Sequence, residues 1–196
     1  MRKQFITACL YTLVTTVLLG LGYPLAVTGL AHLLMSAQAN GELITKDGVL
    51  IGSKLIGQPF TGSGYFNSRP SAAGTGYDAA NSSGSNLGPT NASLIARVEQ
   101  SVQLWKNREA EAGHSSGDVP VDLVTTSGSG LDPDITIAAA EYQVPSVAHT
   151  RGLPRDQVEH LVQTHIEPRQ LGFLGEPRVN VLELNLALDA LAAQKQ

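Results

Sequence analysis

The segment Gly113-His114-Ser115-Ser116-Gly117 has the Gly-x-Ser-x-Gly spacing that exposes a nucleophilic serine in many hydrolases. That arrangement requires a strand before the serine and a helix after it. Here the apolar pattern predicts the opposite order, with a helix before the segment and a strand after it. Because the order of the elements is reversed, we predict no catalytic serine in this chain.

Motifs for nucleotide and metal binding do not occur either. No Gly-x-x-x-x-Gly-Lys-Ser/Thr sequence is present, and no His-Glu-x-x-His. His160 and His165 are five residues apart, which directs them to different sides of a helix. The sole cysteine, Cys9, lies in an apolar segment, so one chain has no disulfide framework and no cysteine-based metal site. We expect no catalytic residue, no metal site and no cofactor bound through a recognisable motif.

Charge is concentrated in the later part of the chain. Residues 4–41 contain no Asp, Glu, Lys or Arg, whereas the chain after residue 31 has 11 basic and 17 acidic residues, a balance of −6. A nucleic-acid-binding surface needs a basic face. The composition thus predicts no nucleic-acid partner.

The uncharged segment predicts one transmembrane helix. Residues 8–31 are apolar apart from Gly, Thr, Tyr and one Pro, and 24 residues at ~1.5 Å each reach about 36 Å, enough to cross a bilayer. Arg2 and Lys3 are the positive residues on its short side, which favours a cytoplasmic N-terminus. We predict a cytoplasmic tip at 1–7, a membrane span at 8–31 and an extracytoplasmic domain at 32–196.

Two questions about the span stay open in the sequence. Ala37-Gln38-Ala39 has the small-x-small pattern of a signal-peptide cleavage site, so a cleaved secretory signal is the alternative to an uncleaved anchor. Gly22 and Ala26 are one turn apart and would let another helix approach closely, with Pro24 kinking the span between them. The alternative is that these small residues face lipid.

The outer part predicts a small α+β domain. Asp47-Gly48, between two β-rich runs, favours a hairpin turn. The predicted long helix begins after Asn91 and ends near Gly113, with an apolar face at Leu94, Ile95, Val98, Val102 and Trp105 and with Glu109 and Glu111 on its polar end.

The remaining elements follow in order along the chain. We predict a strand from Val119, a helix capped by Asp132 and ended by Pro145, a helix over 155–166, and a strand at 178–186 before a short helical tail.

Several segments carry a family resemblance. They are "LIGQPFTGSGYFNSRPSA", "GSNLGPTN", "VPVDLVTTSGSGLDPDIT", "AAEYQVPSVA" and "VNVLELNLALD", behind one N-terminal span. In this order they resemble KdpC, the small subunit of the Kdp potassium-transporting ATPase of bacteria and archaea, over nearly the whole chain. One departure is Ser146, where relatives often have a basic residue.

The resemblance implies a complex in the cell inner membrane. One subunit conducts potassium, a P-type ATPase subunit hydrolyses ATP, a small accessory peptide assists, and this non-catalytic subunit is needed for assembly and activity. ATP and potassium are then handled by the complex. The family is also described as raising the ATP affinity of the ATPase subunit; with the domain outside, that effect would be indirect.

The stretch Thr61 to Asn91 is rich in Gly, Ser and Asn yet contains dispersed aromatic residues and one Arg. We interpret it as an ordered loop whose contact area comes from Tyr65, Phe66, Arg69 and Tyr77. With Gly22 and Ala26, these are the candidate partner contacts. A partly disordered surface loop is the alternative for the stretch, and a free-standing anchored outer-surface enzyme or ligand-binding protein is the alternative for the chain.

Overall fold

The computed structural model of the protein describes residues 1–46, 48–114 and 117–193. The chain forms two units, Met1–Ile51 and Gly52–Gln196. The helices are Arg2–Leu34 (α1), Ala92–Glu111 (α2), Ile137–Arg151 (α3), Arg155–Thr164 (α4) and Val181–Ala193 (α5), with single turns at Ser36–Ala39, Ala79–Asn81 and Val121–Leu123. The strands are Leu43–Lys46 (β1), Val49–Ser53 (β2), Asp134–Thr136 (β3), Ile166–Glu167 (β4) and Arg178–Asn180 (β5). One long apolar helix followed by a small domain of helices and two antiparallel sheets is the predicted fold class.

The first unit is dominated by α1, a helix of 33 residues that is long and apolar enough to cross a membrane. A π-helical turn at Leu18–Gly22 interrupts its α-helical geometry. Pro24 follows at once, and a proline removes one backbone N–H and crowds the carbonyl four residues earlier, that of Gly20. The wider turn accommodates the proline without ending the helix.

The predicted hairpin follows α1 in the chain and ends at Ser53, two residues into the second unit. β1 and β2 form a two-stranded sheet. Gly48 has φ +77°, a left-handed conformation that glycine adopts without steric cost. Asp47, the other predicted turn residue, lies outside the described residues.

In the second unit, α2 begins where the sequence predicts. The Asn91 side chain accepts hydrogen bonds from the backbone N–H groups of Ser93 (2.8 Å) and Leu94 (3.4 Å). Trp105 is buried and its Nε1 donates to the carbonyl of Leu123 at 3.0 Å. A buried indole with its N–H satisfied anchors the helix to the core.

The predicted faces of α2 need two corrections. Ile95, expected on the apolar face, is 47% exposed. Glu109, expected on the polar end, is 0% exposed, whereas Glu111 is exposed. Glu109 lies four residues after Trp105, so it shares the face that packs on the domain.

The prediction for α3 was wrong at both ends. The helix begins at Ile137 because Thr136, not Asp132, is the cap, with the Thr136 side chain accepting from Ala139 N. Pro145 lies inside the helix, which continues to Arg151. Burial of the neighbouring apolar residues on this helix outweighs the ~3 kcal/mol that an interior proline costs.

The strand predicted from Val119 is instead a single helical turn, Val121–Leu123. The carboxylate of Asp122 accepts the backbone N–H of Thr136 at 2.8 Å, so this turn is joined to the start of α3. Leu123 is 2% exposed and belongs to the core.

A three-stranded antiparallel sheet has the order β3-β5-β4. Ile135 and Ile166 both pair with Val179, which places these apolar side chains on one face. The other face carries Asp134, Arg178 and Glu167, and Arg178 forms ion pairs of 2.8 Å with each of the two acids.

At the C-terminus the predicted strand at 178–186 was too long. Only Arg178–Asn180 is strand, and α5 begins at Val181. The buried residues of α5 are Val181, Leu182, Leu184, Asn185 and Leu188, a helical spacing. The helix predicted over 155–166 is present as α4, with Val158 and Val162 fully buried, but it ends at Thr164, and Ile166 belongs to β4.

Candidate partner interface

The stretch Thr61 to Asn91 is held in place by amide side chains from distant helices. Asn185 on α5 binds the backbone of Phe66 twice: its Oδ1 accepts from Phe66 N, and its Nδ2 donates to Phe66 O, both at 2.9 Å. Gln143 on α3 does the same for Asn67, accepting from N at 2.7 Å and donating to O at 3.2 Å. The two amides supply the pairing that a neighbouring strand would give. These bonds fit the prediction of an ordered loop.

Phe66 is 0% exposed and lies in the hydrophobic core with Trp105, Val144 and Leu184. Its side chain therefore packs inside the domain in this structure. The neighbouring Tyr65 has the opposite orientation and is half-buried.

Tyr65 is held against a charged pair. Its hydroxyl donates to Asp189 at 3.2 Å, and the guanidinium of Arg151 lies 4.2 Å from the ring centroid. Arg151 also pairs with Asp189 at 2.8 Å and donates to the carbonyl of Gly64 at 2.6 Å. The aromatic ring is thus fixed while part of it remains at the surface.

Arg69 and Tyr77 are brought together by the loop. The Tyr77 hydroxyl donates to the carbonyl of Arg69 at 2.6 Å, and Tyr77 has φ +56°, an uncommon conformation for a residue with a bulky side chain. The Arg69 guanidinium binds Asp132 at 3.2 Å. Burial raises the pKa of the Tyr77 hydroxyl, which therefore stays protonated as a donor.

Arg69 lines a pocket of about 280 Å³ beside the charged face of the sheet. Asp122, Asp132, Asp134 and Arg178 line the same pocket. Burial raises the pKa of Asp134, an effect partly offset by Arg178. With more acids than bases around its opening, this pocket is suited to a cationic or hydrogen-bond-donating side chain.

A second cleft, of about 330 Å³, lies between the end of α2 and α3. Arg108, Glu111, Ser146 and His149 are among its lining residues. Within residues 1–46, 48–114 and 117–193, neither carboxylate oxygen of Glu109 has a hydrogen-bond partner. The nearby Ser146 hydroxyl donates to the Gln143 carbonyl at 3.0 Å. An unpaired carboxylate is thus buried next to this cleft.

Gly22 and Ala26 lie in α1 and are exposed in the single chain. A Cβ added at Gly22 would meet nothing closer than the carbonyl of Val17, at 3.7 Å. The chain itself therefore leaves room for a larger side chain at this position. Each of these two residues lies on the first unit, and the four loop candidates lie on the second.

Sequence reasoning missed the residues that hold the loop, namely Gln143, Asn185, Arg151 and Asp189. They sit on helices at positions that periodicity alone would assign to a core or to solvent. A buried Asn or Gln within an apolar helix face is the one signal that could have indicated them, because such an amide needs partners. Asp132 was noticed, but as a helix cap rather than as the partner of Arg69.

The catalytic and metal motifs can be placed only in part. Ser115 and Ser116, the centre of the Gly-x-Ser-x-Gly segment, lie outside the described residues. Across the described parts of the chain, no group of three or more His, Cys, Asp or Glu residues is arranged to hold a metal ion.

A helix long and apolar enough to cross a membrane, followed by a small α+β domain whose surface loop is fixed by buried amides, is typical of a membrane-associated protein. A family model described as KdpC, the c chain of the K⁺-transporting ATPase, matches residues 5–190. The chain belongs to the KdpC family.

Individual relatives align over almost the entire chain. A protein of Koribacter versatilis is 58% identical over 189 residues, which cover 96% of this chain and 95% of the relative. A protein of Mycobacterium bovis is 53% identical over 191 residues, covering 97% of this chain and all of the relative. A third, from Rhodospirillum rubrum, is 57% identical over 174 residues, or 89% of each chain. All three carry the name potassium-transporting ATPase KdpC subunit.

Proposed function

We propose that this protein is a non-catalytic subunit of an ATP-driven potassium uptake complex and is needed for its assembly and activity. The family match over residues 5–190 carries the proposal, because it includes both the apolar helix and the α+β domain. Relatives named as potassium-transporting ATPase KdpC subunits align with this chain over 95% and 100% of their own length. The similarity therefore covers nearly the whole chain and not the domain alone.

The proposed topology places residues 1–7 in the cytoplasm, 8–31 in the inner membrane and 32–196 outside. Arg2 and Lys3 support this orientation, since positive residues near a span favour the cytoplasmic side. α1 is longer than the proposed span, so its ends extend into the interfacial regions of the bilayer.

The proposed docking partner is the potassium-conducting subunit, with the ATPase subunit and the small accessory peptide completing the complex. On the domain, Tyr65, Arg69 and Tyr77 are the proposed contacts, and Phe66 supports them from the core. Tyr65 is fixed by its hydrogen bond to Asp189, and Arg69 by its ion pair with Asp132, before any partner binds, which lowers the entropy lost on docking. In the membrane, Gly22 and Ala26 are proposed to pack against another helix.

ATP and potassium are proposed to bind to other subunits of the complex. An effect of this subunit on ATP affinity then acts at a distance, because ATP is cytoplasmic and a bilayer core about 30 Å thick separates it from the domain. Such an effect is a coupling free energy, transmitted through the potassium-conducting subunit or through α1.

Co-purification tests the proposal. An affinity-tagged full-length chain, extracted in mild detergent from cells that make the other subunits, should bring down the potassium-conducting and ATPase subunits. Membranes from cells without this chain should lose potassium-stimulated ATP hydrolysis, and the purified chain alone should hydrolyse no ATP. A chain that purifies alone while the remaining subunits stay active would instead support a free-standing anchored enzyme or ligand-binding protein.

A further inference from the structure

The connection between β4 and β5 presents apolar side chains to solvent. Seven large apolar side chains are exposed among the described residues of 52–193, and three of the seven lie in this connection. Leu171 is 83% exposed, Phe173 68% and Leu174 46%. We call residues 169–176 the apolar turn. Such clustering distinguishes it from the single exposed apolar residues that any surface carries.

Internal bonds make the apolar turn a closed structure. Gln170 and Leu174 exchange two backbone hydrogen bonds of 2.9 Å each, and Phe173 N donates to the Gln170 carbonyl at 3.2 Å. At its base, Arg169 and Glu176 form an ion pair. The backbone groups that make these bonds are thus satisfied within the turn, and the apolar side chains can leave water without stranding them.

The backbone of the apolar turn is also unusual. Leu171 has φ +53°, in the left-handed region where the Cβ of a leucine crowds the backbone. Gly172 and Gly175 on either side of Phe173 have φ +82° and +73°. Most of the Leu171 side chain lies in solvent, so contacts within its own domain do little to offset the cost of this conformation. Strain of this kind is commonly found where a partner requires a fixed shape.

Charge and shape together indicate the kind of partner. Arg169 is neutralised by Glu176, so the apolar turn has no surplus positive charge for an anionic bilayer surface. Insertion into fluid lipid chains is favoured by buried apolar area but does not depend on a particular backbone shape. Binding to a preformed apolar pocket in a protein is favoured by both, because a rigid turn loses little entropy when it docks.

We propose that the apolar turn docks into an uncharged apolar pocket on the outer surface of the potassium-conducting subunit, with Phe173 as its anchor. The inference rests on the function proposed above and adds a contact distinct from Tyr65 and Arg69. Insertion of Phe173 flanked by Leu171 and Leu174 follows the usual pattern of an aromatic anchor surrounded by apolar contacts.

Site-specific photo-crosslinking in the full-length chain tests it. A photoreactive phenylalanine analogue at position 173, in cells making the whole complex, should give an adduct with the potassium-conducting subunit. The same analogue at position 104 is the control, because Leu104 is an equally exposed apolar residue on α2, 64% exposed; it should give no such adduct. Adducts with a second copy of this chain, with another subunit, with lipid alone, or equally from both positions would overturn the inference.

Substitution gives an independent measurement. Phe173→Ser should lower the yield of potassium-conducting subunit recovered with the tagged chain about tenfold or more, because a buried aromatic anchor is replaced by a polar group. Leu104→Ser should leave the yield within about twofold. Phe173→Leu, which keeps an apolar side chain, should recover most of the yield, and unchanged thermal unfolding of all three variants shows that the domain is intact.

Co-purification with the unaltered chain and with Phe173→Ser distinguishes failure of the proposed function from failure of the proposed docking element. If the unaltered chain does not recover the other subunits, the proposed function is wrong. If the unaltered chain recovers them and Phe173→Ser recovers them equally well, the apolar turn is not the docking element.

Discussion

Replacing Glu109 with glutamine should stabilise the protein at neutral pH. The Glu109 carboxylate is 0% exposed and neither of its oxygens has a hydrogen-bond partner among the described residues. Burial raises its pKa above the ordinary value of 4.5; nearby Ser146 and the charges of Arg108, His114 and Arg155 offset only part of that effect. Glutamine has the same shape and no charge, and its amide can donate to the Ser146 hydroxyl.

The sign of the pH dependence follows from the raised pKa. The folded chain binds the Glu109 proton more tightly than the unfolded chain, so this group's contribution to stability is full below about pH 4.5 and is lost as pH rises through the folded-state pKa. Within that window the free energy of unfolding falls by at most about 1.4 kcal/mol per pH unit. The difference in the free energy of unfolding between Glu109→Gln and the unaltered chain should therefore grow with pH and then level off.

The expected gain at pH 8 is about 2 kcal/mol, since an uncompensated buried charge typically costs about 3 kcal/mol and the positive charges of Arg108 and Arg155 return part of it. Denaturant unfolding of the full-length chain in detergent measures this directly. The only tryptophan, Trp105, is buried one turn before Glu109 and reports the transition by fluorescence. Glu111→Gln, at an exposed position on the same helix, is the matched control and should change stability by less than about 0.5 kcal/mol at every pH.

Equal stability of Glu109→Gln and the unaltered chain at pH 8, or a difference that does not vary between pH 4 and pH 8, would refute this reasoning. Ser146→Arg provides a second check. An arginine at this position can extend into the cleft that Ser146 lines and bring its guanidinium to Glu109. The loss of stability above pH 4.5 should then disappear, because the carboxylate is paired in the folded state.

Three further expectations concern the complex. A reporter that is active only outside the cytoplasm should work when fused to the C-terminus and not when fused to the N-terminus; the reverse result would invert the proposed topology. Gly22→Leu should weaken association with the other subunits more than Leu18→Ala, since the chain itself has room at Gly22; equal co-purification of the two variants would place Gly22 against lipid. Tyr65→Ala or Arg69→Ala should lower complex yield or potassium-stimulated ATP hydrolysis by an amount equivalent to about 2 kcal/mol; thermal unfolding of each variant separates this from loss of their internal bonds, and full yield with full activity would remove both residues from the interface.

Local signals were sufficient for the elements that depend on local sequence. Absence of charge indicated α1, Asn91 marked the start of α2, and the spacing of Val158 and Val162 indicated α4. Each of these rests on interactions within a few residues, or on burial of one continuous face, which a sequence pattern records directly.

Elements that depend on distant partners were mispredicted. Strand β3 has three residues and exists because it pairs with β5, more than 40 residues later. Pro145 predicts the end of a helix, but packing against the core keeps it inside α3. Val179 and Val181 alternate like a strand, although the helical spacing from Val181 onward decides the structure. Tertiary contacts override local preference in the first two cases, and in the third a helical pattern competes with an alternating one.

The same limit applies to the candidate interface. The sequence pointed to the loop and to Tyr65, Arg69 and Tyr77 as its larger side chains, but not to the side chains that fix them. Phe66 could not be assigned to the core without knowing that α3 and α5 enclose it. The apolar turn escaped notice because its three apolar residues have no periodic context, and only their exposure in the folded chain distinguishes them.

The double hydrogen bond between Asn185 and the backbone of Phe66 has a consequence for the order of folding. The two residues are separated by 119 positions, so this contact closes most of the domain's chain into one loop. A ribosome must have made nearly the whole protein before Asn185 is available, and such a long closure is slow compared with forming helices. The loop carrying Tyr65 and Arg69 therefore orders late, after synthesis of α5. A chain truncated before Asn185 would keep α1 and much of α2 and α3 but would lack the clamp that holds this loop.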